Sequence, residues 1–193
     1  MLYSPLLERA MRFAAAAHQA QRRKGTDVPY LTHLASVALI LTRAGFDDDE
    51  LLAAALLHDA VEDAGVSHDT LAAAFSPRVA DLVGAVSEVK HDPEGVALPW
   101  RRRKEEYLER LHAAAVEAKA ISLADKLHNL GTLADDLAAD PLAWGRFNAP
   151  PVDQFWYHAA VIDAAGDDPR LAPLAAECRA TLERLKALSP AAI

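Results

Sequence analysis

Apolar residues recur along this chain at the three-to-four-residue spacing of helices, and strand-like alternation is absent over any useful length. Leu6, Ala10, Phe13, Ala14 and Ala17 form the first stripe, which runs to about Gln21. It opens at Ser4-Pro5, a side-chain cap followed by a proline where no hydrogen bond is lost. The segment RRKGTDVPY (Arg22 to Tyr30) breaks the pattern with Gly25 and Pro29 and is expected as a loop. Thr32 is placed to cap the second helix, whose stripe is Leu34, Val37, Ala38 and Leu41 and whose stop is Gly45. Asp47 to Asp49 supply caps for a third helix, ELLAAALLHDAVEDA, continuous from Glu50 to Ala64 and closed by Gly65.

A short helix is expected around Leu71 to Phe75, and Ser76-Pro77 opens another that runs to about Ser87. Pro and Gly make Glu88 to Trp100 a loop. A charged amphipathic helix follows from Arg101 to Ala115, then a more apolar and central one from Val116 to Leu137. The pattern breaks again from Pro141 to Pro151, before helices around Phe155 to Ala164 and Ala172 to Leu188. No repeat and no long linker divides the chain. The reading is a single all-α bundle over residues 1–193, with a motif-bearing core at about 13–137 and C-terminal helices within 152–190.

Composition narrows the function classes. Hydrophobic residues at 52 % and charged ones at 25 % are those of a globular protein, and abundant alanine with scarce glycine favours helices. A net charge of −8 argues against a general nucleic-acid binder, which needs a basic footprint. The longest apolar run, Leu51 to Leu57, is too short to span a bilayer, and the N-terminal stretch lacks the features of a secretion signal. The lone Cys178 has no internal partner and sits in an apolar helical pattern, which points to a core residue and a cytoplasmic home. The pattern sets no oligomeric state.

Three separated segments carry metal-binding side chains inside apolar helices: His33, the pair His58-Asp59, and Asp125. Polar groups among Leu56, Leu57 and Leu123 are costly to bury unless something satisfies them. One divalent cation would satisfy all four, and two imidazoles with two carboxylates suit Mn, Fe, Co or Zn. Glu62 lies four residues after His58 and Asp63 four after Asp59, so helical geometry brings both carboxylates near the ligands. Asn129 and Thr132 share a stripe with Asp125, while Leu123, Leu127, Leu130 and Ala134 face another way as core. Taken singly, His33 reads as a helix-start cap, His58-Asp59 as a chance dipeptide and Asp125 as half of an ion pair with Lys126. Their combination reverses that reading.

His33, LLHDAVED (Leu56 to Asp63) and LADKLHNL (Leu123 to Leu130), in this order, resemble the HD-domain hydrolases of the RelA/SpoT homologue family, in its small single-domain alarmone hydrolase form. RRKGTDVPYLTH (Arg22 to His33) matches the family's basic loop, and the likeness covers at least Phe13 to about Leu137. The resemblance implies an HD-type helical bundle with His33, His58, Asp59 and Asp125 as metal ligands and manganese as the metal. It makes Glu62 and Asp63 the pair that activates water, and Arg23, Lys24, Asn129 and Thr132 contacts to a nucleotide. The implied reaction removes the 3′-pyrophosphate of ppGpp or pppGpp, giving GDP or GTP and pyrophosphate, as in the stringent response. No segment matches a synthetase domain, so hydrolysis alone is implied.

Some positions depart from the family. Leu34 follows the first histidine where proline is common, Gly131 stands where many relatives carry arginine, and Ser87-Glu88 replaces the Thr-Lys of the long enzymes. The run Arg101 to Lys104, with Arg103 and Lys104 as candidate phosphate contacts, is either a compensation or a solvated helix face. Phe155, Trp156 and Tyr157 read as core, with Tyr157 the one candidate to stack on a base. Two rival functions remain: an HD hydrolase acting on the 2′-phosphate of NADPH or another nucleotide, and a non-enzymatic module that senses a nucleotide. The partner in each case is a small nucleotide, with no nucleic acid and no membrane.

Overall fold

A computed structural model describes residues 3–189 of the chain. Met1, Leu2 and residues 190–193, which the sequence reading assigns to the same domain, lie outside the described residues. Among the described residues the chain is all-helical: α1 (Pro5–Ala17), α2 (Leu31–Arg43), α3 (Asp49–Leu57), α4 (Ala60–Ala64), α5 (His68–Ala74), α6 (Pro77–Val86), α7 (Trp100–Ala113), α8 (Val116–Ala139), α9 (Pro151–Ala164) and α10 (Ala172–Ala187). A 3-10 turn at Ala143–Arg146 interrupts the segment expected to be irregular.

Several starts follow from local chemistry. Ser4 Oγ accepts from the Leu7 amide, Asp48 from Leu51 and Ser76 from Val79, each satisfying an amide that the first turn cannot. Thr32 does not cap α2. The N-cap is Tyr30, without a side-chain cap, and Thr32 Oγ1 instead donates to the Pro29 carbonyl at 2.8 Å. The loop before it is tied across its base, with Arg23 donating to the Val28 carbonyl at 2.8 Å and Tyr30 to that of Gln21 at 3.1 Å. Gly25 has φ 75° there, a backbone shape that favours glycine, and the Arg146 side chain packs against its open face, 2.6 Å from where a Cβ would stand.

The expected continuous third helix is two helices. Asp59, at φ −97° and ψ 0°, leaves the helical path between Leu57 and Ala60, an interruption that suits Asp better than a mid-helix position would. Gly65, at φ 66°, then closes α4 in the left-handed conformation.

The long helix α8 runs through the middle, packing on α2, α3, α6, α9 and α10. Leu123, Leu127, Leu130 and Ala134 all lie in the core, as the stripe required. The run Leu51 to Leu57 is buried throughout, beneath α1, α2 and α6. Cys178 is fully buried, donates to the Leu123 carbonyl and has its thiol pushed up to about 12 by burial, which makes it a core residue. A smaller cluster of Tyr107, Leu111, Tyr157, Val161 and Ala164 joins α7 to α9. This packing fixes the start of α2, the α3–α4 break and the middle of α8 around one point.

Candidate metal centre

His33, near the start of α2, His58, just past α3, and Asp125, in mid-α8, converge so that one ligand atom from each lies within 4.8 Å of the others. The rings are only 1 % and 4 % exposed. His33 Nε2 is 3.2 Å from Asp125 Oδ1, and His58 Nε2 is 3.1 Å from Asp59 Oδ2. Asp59 Oδ2 is also 3.8 Å from His33 Nε2, so the fourth sequence-derived ligand faces the same point.

Both Nε2 atoms are buried without a hydrogen-bond partner. Such atoms are costly unless something outside the protein satisfies them. The opposite ring nitrogens are held: His58 Nδ1 donates to the Ala55 carbonyl at 2.8 Å, which leaves the Nε2 lone pair free. His33 Nδ1 lies 2.8 Å from Nδ1 of His128, a neighbour that sequence reasoning missed although it is three residues beyond Asp125. Burial, then the fields of His33 and Arg23, push His128 down to about 4 and keep it neutral, able to accept from His33. Two orphaned imidazole nitrogens faced by two carboxylates fit a divalent cation of borderline character.

The charges agree. Burial acts to lower His58, but Asp59 and Asp125 outweigh it and push the ring up to about 9, so the carboxylates favour positive charge where the ring nitrogens meet. Burial acts to raise Asp125, but Lys126, His33 and His58 hold it well below the usual carboxylate range. Tyr30 donates to Asp59 Oδ2 at 2.6 Å, and burial with that carboxylate raises its phenol, so it remains a donor. Tyr30 was read only as the end of a loop.

Around this point lies a cavity of about 170 Å³ lined in part by Asp59, Glu62, Asp63, Glu88, Lys104 and Lys126. Glu62 and Asp63 both reach it. Burial, then the Asp59 charge, raises Glu62, while Lys90 opposes them. Lys90 donates to Asp63 Oδ1 at 2.9 Å and to the Glu62 backbone carbonyl at 3.2 Å, and lies 3.3 Å from Glu62 Oε1. The Glu88 amide donates to Glu62 Oε2 at 3.2 Å. Neither Lys90 nor Glu88 was singled out for this role, because both lie in a stretch that reads as loop.

A second cavity of about 380 Å³ is lined in part by Arg23, Lys24, His128, Asn129, Thr132 and Arg146. Arg23 Nη2 donates to Asn129 Oδ1 at 2.8 Å and reaches Thr132 Oγ1 at 3.3 Å, while Asn129 Nδ2 donates to Asp125 Oδ1 at 2.5 Å. Lys24 lies over the Phe147 ring, 5.2 Å from its centre. Lys126, Asn129 and Tyr157 line both cavities and form the threshold between them.

The run Arg101 to Lys104 is divided. Arg101 and Arg102 are solvent-facing and paired one turn on with Glu105 and Glu106, and Arg101 also covers Trp156. Arg103 Nη1 donates to Glu88 Oε1 at 2.5 Å and Lys104 Nζ bonds the other oxygen of Glu88. So the solvated-face reading holds for the first two residues and fails for the last two. Phe155 is core, and of the aromatic trio Tyr157 alone borders both cavities. A Cβ at Gly131 would meet nothing within 4 Å, so the missing arginine reflects no lack of room.

A family model described as HD domain matches residues 10–144. The chain belongs to the HD-domain family. Over 130 residues this HD protein is 42 % identical to the mouse guanosine-3′,5′-bis(diphosphate) 3′-pyrophosphohydrolase MESH1, covering 66 % of this chain and 69 % of that one. A protein from Aquifex aeolicus with the same enzymatic name is 35 % identical over 129 residues, which is 66 % of this chain but only 18 % of that longer one. Among solved structures, the one described as a metazoan ortholog of SpoT that hydrolyzes ppGpp superposes with a TM-score of 0.77 at 30 % identity, covering 95 % of this chain and 97 % of that one. A Listeria monocytogenes EGD-e protein superposes with a TM-score of 0.70 at 32 % identity, covering 82 % of this chain and 99 % of that one. The structural likeness thus extends beyond residues 10–144, which the family model matches, to 95 % of this chain.

Proposed function

We propose that this HD protein is a metal-dependent hydrolase that removes the 3′-pyrophosphate of ppGpp and pppGpp, releasing GDP or GTP and pyrophosphate. The observation that carries this is the convergence of His33, His58 and Asp125 on one point, with two ring nitrogens otherwise unsatisfied, beside a cavity lined by both cations and carboxylates. The likeness to enzymes named as ppGpp pyrophosphohydrolases supports the substrate. His33, His58, Asp59 and Asp125 would hold one divalent ion, with manganese the ion we propose. We read residues 1–193 as a single functional domain, with a cytoplasmic setting and a role in starvation signalling.

When bound, the ion supplies Lewis acidity and lowers the pKa of a water from 15.7 to about 7. The chain's own residues do the rest. Glu62, held by the Glu88 amide, and Asp63, held by Lys90 and by Gln21 Nε2 at 2.9 Å, accept and pass on the proton of the attacking water. The raised Glu62 carboxyl takes up a proton more readily than an ordinary carboxylate, which suits a proton acceptor. Arg23 and Lys24 border the larger cavity, whose volume lies in the usual range for a nucleotide-sized ligand, about 300–1,000 Å³. The smaller cavity, below that range, takes the phosphates. Asn129 bridges the two and orients the sugar against the ligand set.

The test is a hydrolysis panel with added manganese containing ppGpp, pppGpp and NADPH. We expect ppGpp to be cleaved at the 3′ oxygen with the highest kcat/KM. NADPH at least equal to ppGpp would overturn the alarmone assignment, while leaving the metal site in place.

A further inference from the structure

His18, the C-cap residue of α1, takes no part in the reading above, yet it is buried and lies two hydrogen bonds from Asp63. Its Nδ1 is 2.6 Å from Gln21 Oε1, and Gln21 Nε2 donates to Asp63 Oδ2 at 2.9 Å. The main chain pins Gln21 on both sides. Its amide donates to the His18 carbonyl at 2.9 Å, and its carbonyl accepts from the Tyr30 amide at 3.1 Å. The His18 ring also stacks on Tyr30, with centroids 5.3 Å apart, and Tyr30 is the donor to Asp59.

The direction of this chain of bonds is forced. A carboxylate only accepts, so the side-chain nitrogen of Gln21 must face Asp63. The side-chain oxygen is then left to His18, whose Nδ1 must carry the hydrogen. The other ring nitrogen, Nε2, is buried with no hydrogen-bond partner. That orphaned atom is a cost that an apolar ring of similar shape would spare the fold. The bond to Gln21 is therefore the feature of His18 that packing does not explain.

Asp63 in turn is held once at each oxygen, by Gln21 at Oδ2 and by Lys90 at Oδ1. Two such holds fix the plane of the carboxylate, and each oxygen keeps lone-pair capacity for a water. Without the His18 bond the Gln21 side chain is free to turn, and its oxygen would then meet Asp63 with no donor between them.

We infer that His18 is a positioning residue, which through the Gln21 side chain holds the Asp63 carboxylate in the orientation that receives the proton of the attacking water. The inference rests on the hydrolase reading above and deepens it.

Two substitutions separate the hydrogen bond from the ring. His18→Phe keeps a ring stacked on Tyr30 and removes the donor, while His18→Asn places an amide donor where Nδ1 stood and removes the ring. Kinetics uses whichever member of the hydrolysis panel the wild-type protein cleaves fastest. His18→Phe is expected to lower kcat by about 10-fold, the worth of one hydrogen bond, with KM and metal content unaltered. His18→Asn is expected to recover most of that loss. The reverse order, with Phe active and Asn impaired, would make His18 a packing residue and overturn the inference. In an Asp63→Asn background His18→Phe should cost nothing more, because the two residues act as one unit. A further loss of similar size there would also overturn it. If His18→Phe fails to fold, Gln21→Leu breaks the chain one link on and carries the same expectations. Nitrogen NMR of the ring reads the arrangement apart from turnover: hydrogen on Nδ1 is expected, and hydrogen on Nε2 alone would break the chain. Cleavage of no panel member would sink the hydrolase reading and the inference with it, whereas either kinetic reversal sinks the inference alone.

Discussion

Arg23 and Asn129, 106 residues apart in the chain, meet in a 2.8 Å hydrogen bond from the guanidinium to the side-chain carbonyl. Because Asn129 also donates to Asp125, the basic loop is mechanically joined to the ligand set. On the proposed reading, a nucleotide gripped by Arg23 and Lys24 would thereby be placed in register with the metal point. Arg23→Ala and Lys24→Ala should raise KM more than they lower kcat, because these residues hold the ground state. Steady-state kinetics on ppGpp decides it: an unchanged KM with a fallen kcat would move them into the transition state.

Metal content should follow the ligand set. Purified protein is expected to carry close to one divalent ion per chain, with chelation abolishing activity and manganese restoring it. Asp59→Ala removes a charged ligand and should lose the ion, as measured by elemental analysis. Full metal content together with normal turnover in that variant would refute the assigned site.

Glu62→Gln and Asp63→Asn keep shape and remove the proton-accepting charge. Metal should stay while turnover falls by roughly 10²-fold or more. Loss of metal in these variants would instead point to a role in supporting the ligands.

Glu88 is the buried counterion of both Arg103 and Lys104. Glu88→Ala leaves two partly buried cations without their partner, and by the usual cost of breaking a buried pair should destabilise the fold by about 3 kcal/mol. Urea unfolding measures this directly. A change within the error of the extrapolation would mean that solvent satisfies both cations.

His158, buried beside the larger cavity, is pushed down to about 3 by burial and by Lys126. Its folded value lies below the unfolded one of about 6.5, so the unfolded chain binds the proton more readily. The stability that comes from keeping it neutral is complete above about pH 6.5 and is lost as pH falls toward 3. The acid limb of stability should therefore slope by up to about 1.4 kcal/mol per pH unit on its account, and His158→Leu should flatten it. Identical slopes in both proteins would assign the acid sensitivity to other groups.

What the sequence determined by itself is whatever depends on neighbours along the chain. Helical spacing, the caps at Ser4, Asp48 and Ser76 and the stop at Gly65 rest on contacts a few residues long, and they stand in the structure where the pattern put them. The ligand candidates were legible because His33, His58-Asp59 and Asp125 are polar residues set in apolar stripes, where burial without a shared partner is costly. Tertiary structure decided what depends on distant pairs. Asp59 breaks a run that reads as one helix, and Tyr30 bonds it from 29 residues away. His128 locks His33 across 95 residues. Glu88 and Lys90, in a segment that composition marks only as loop, divide the work of neutralising the cations of α7 and the carboxylates of α4. Charge and spacing in one dimension carry no record of which cation meets which carboxylate, because helix packing alone brings them within reach.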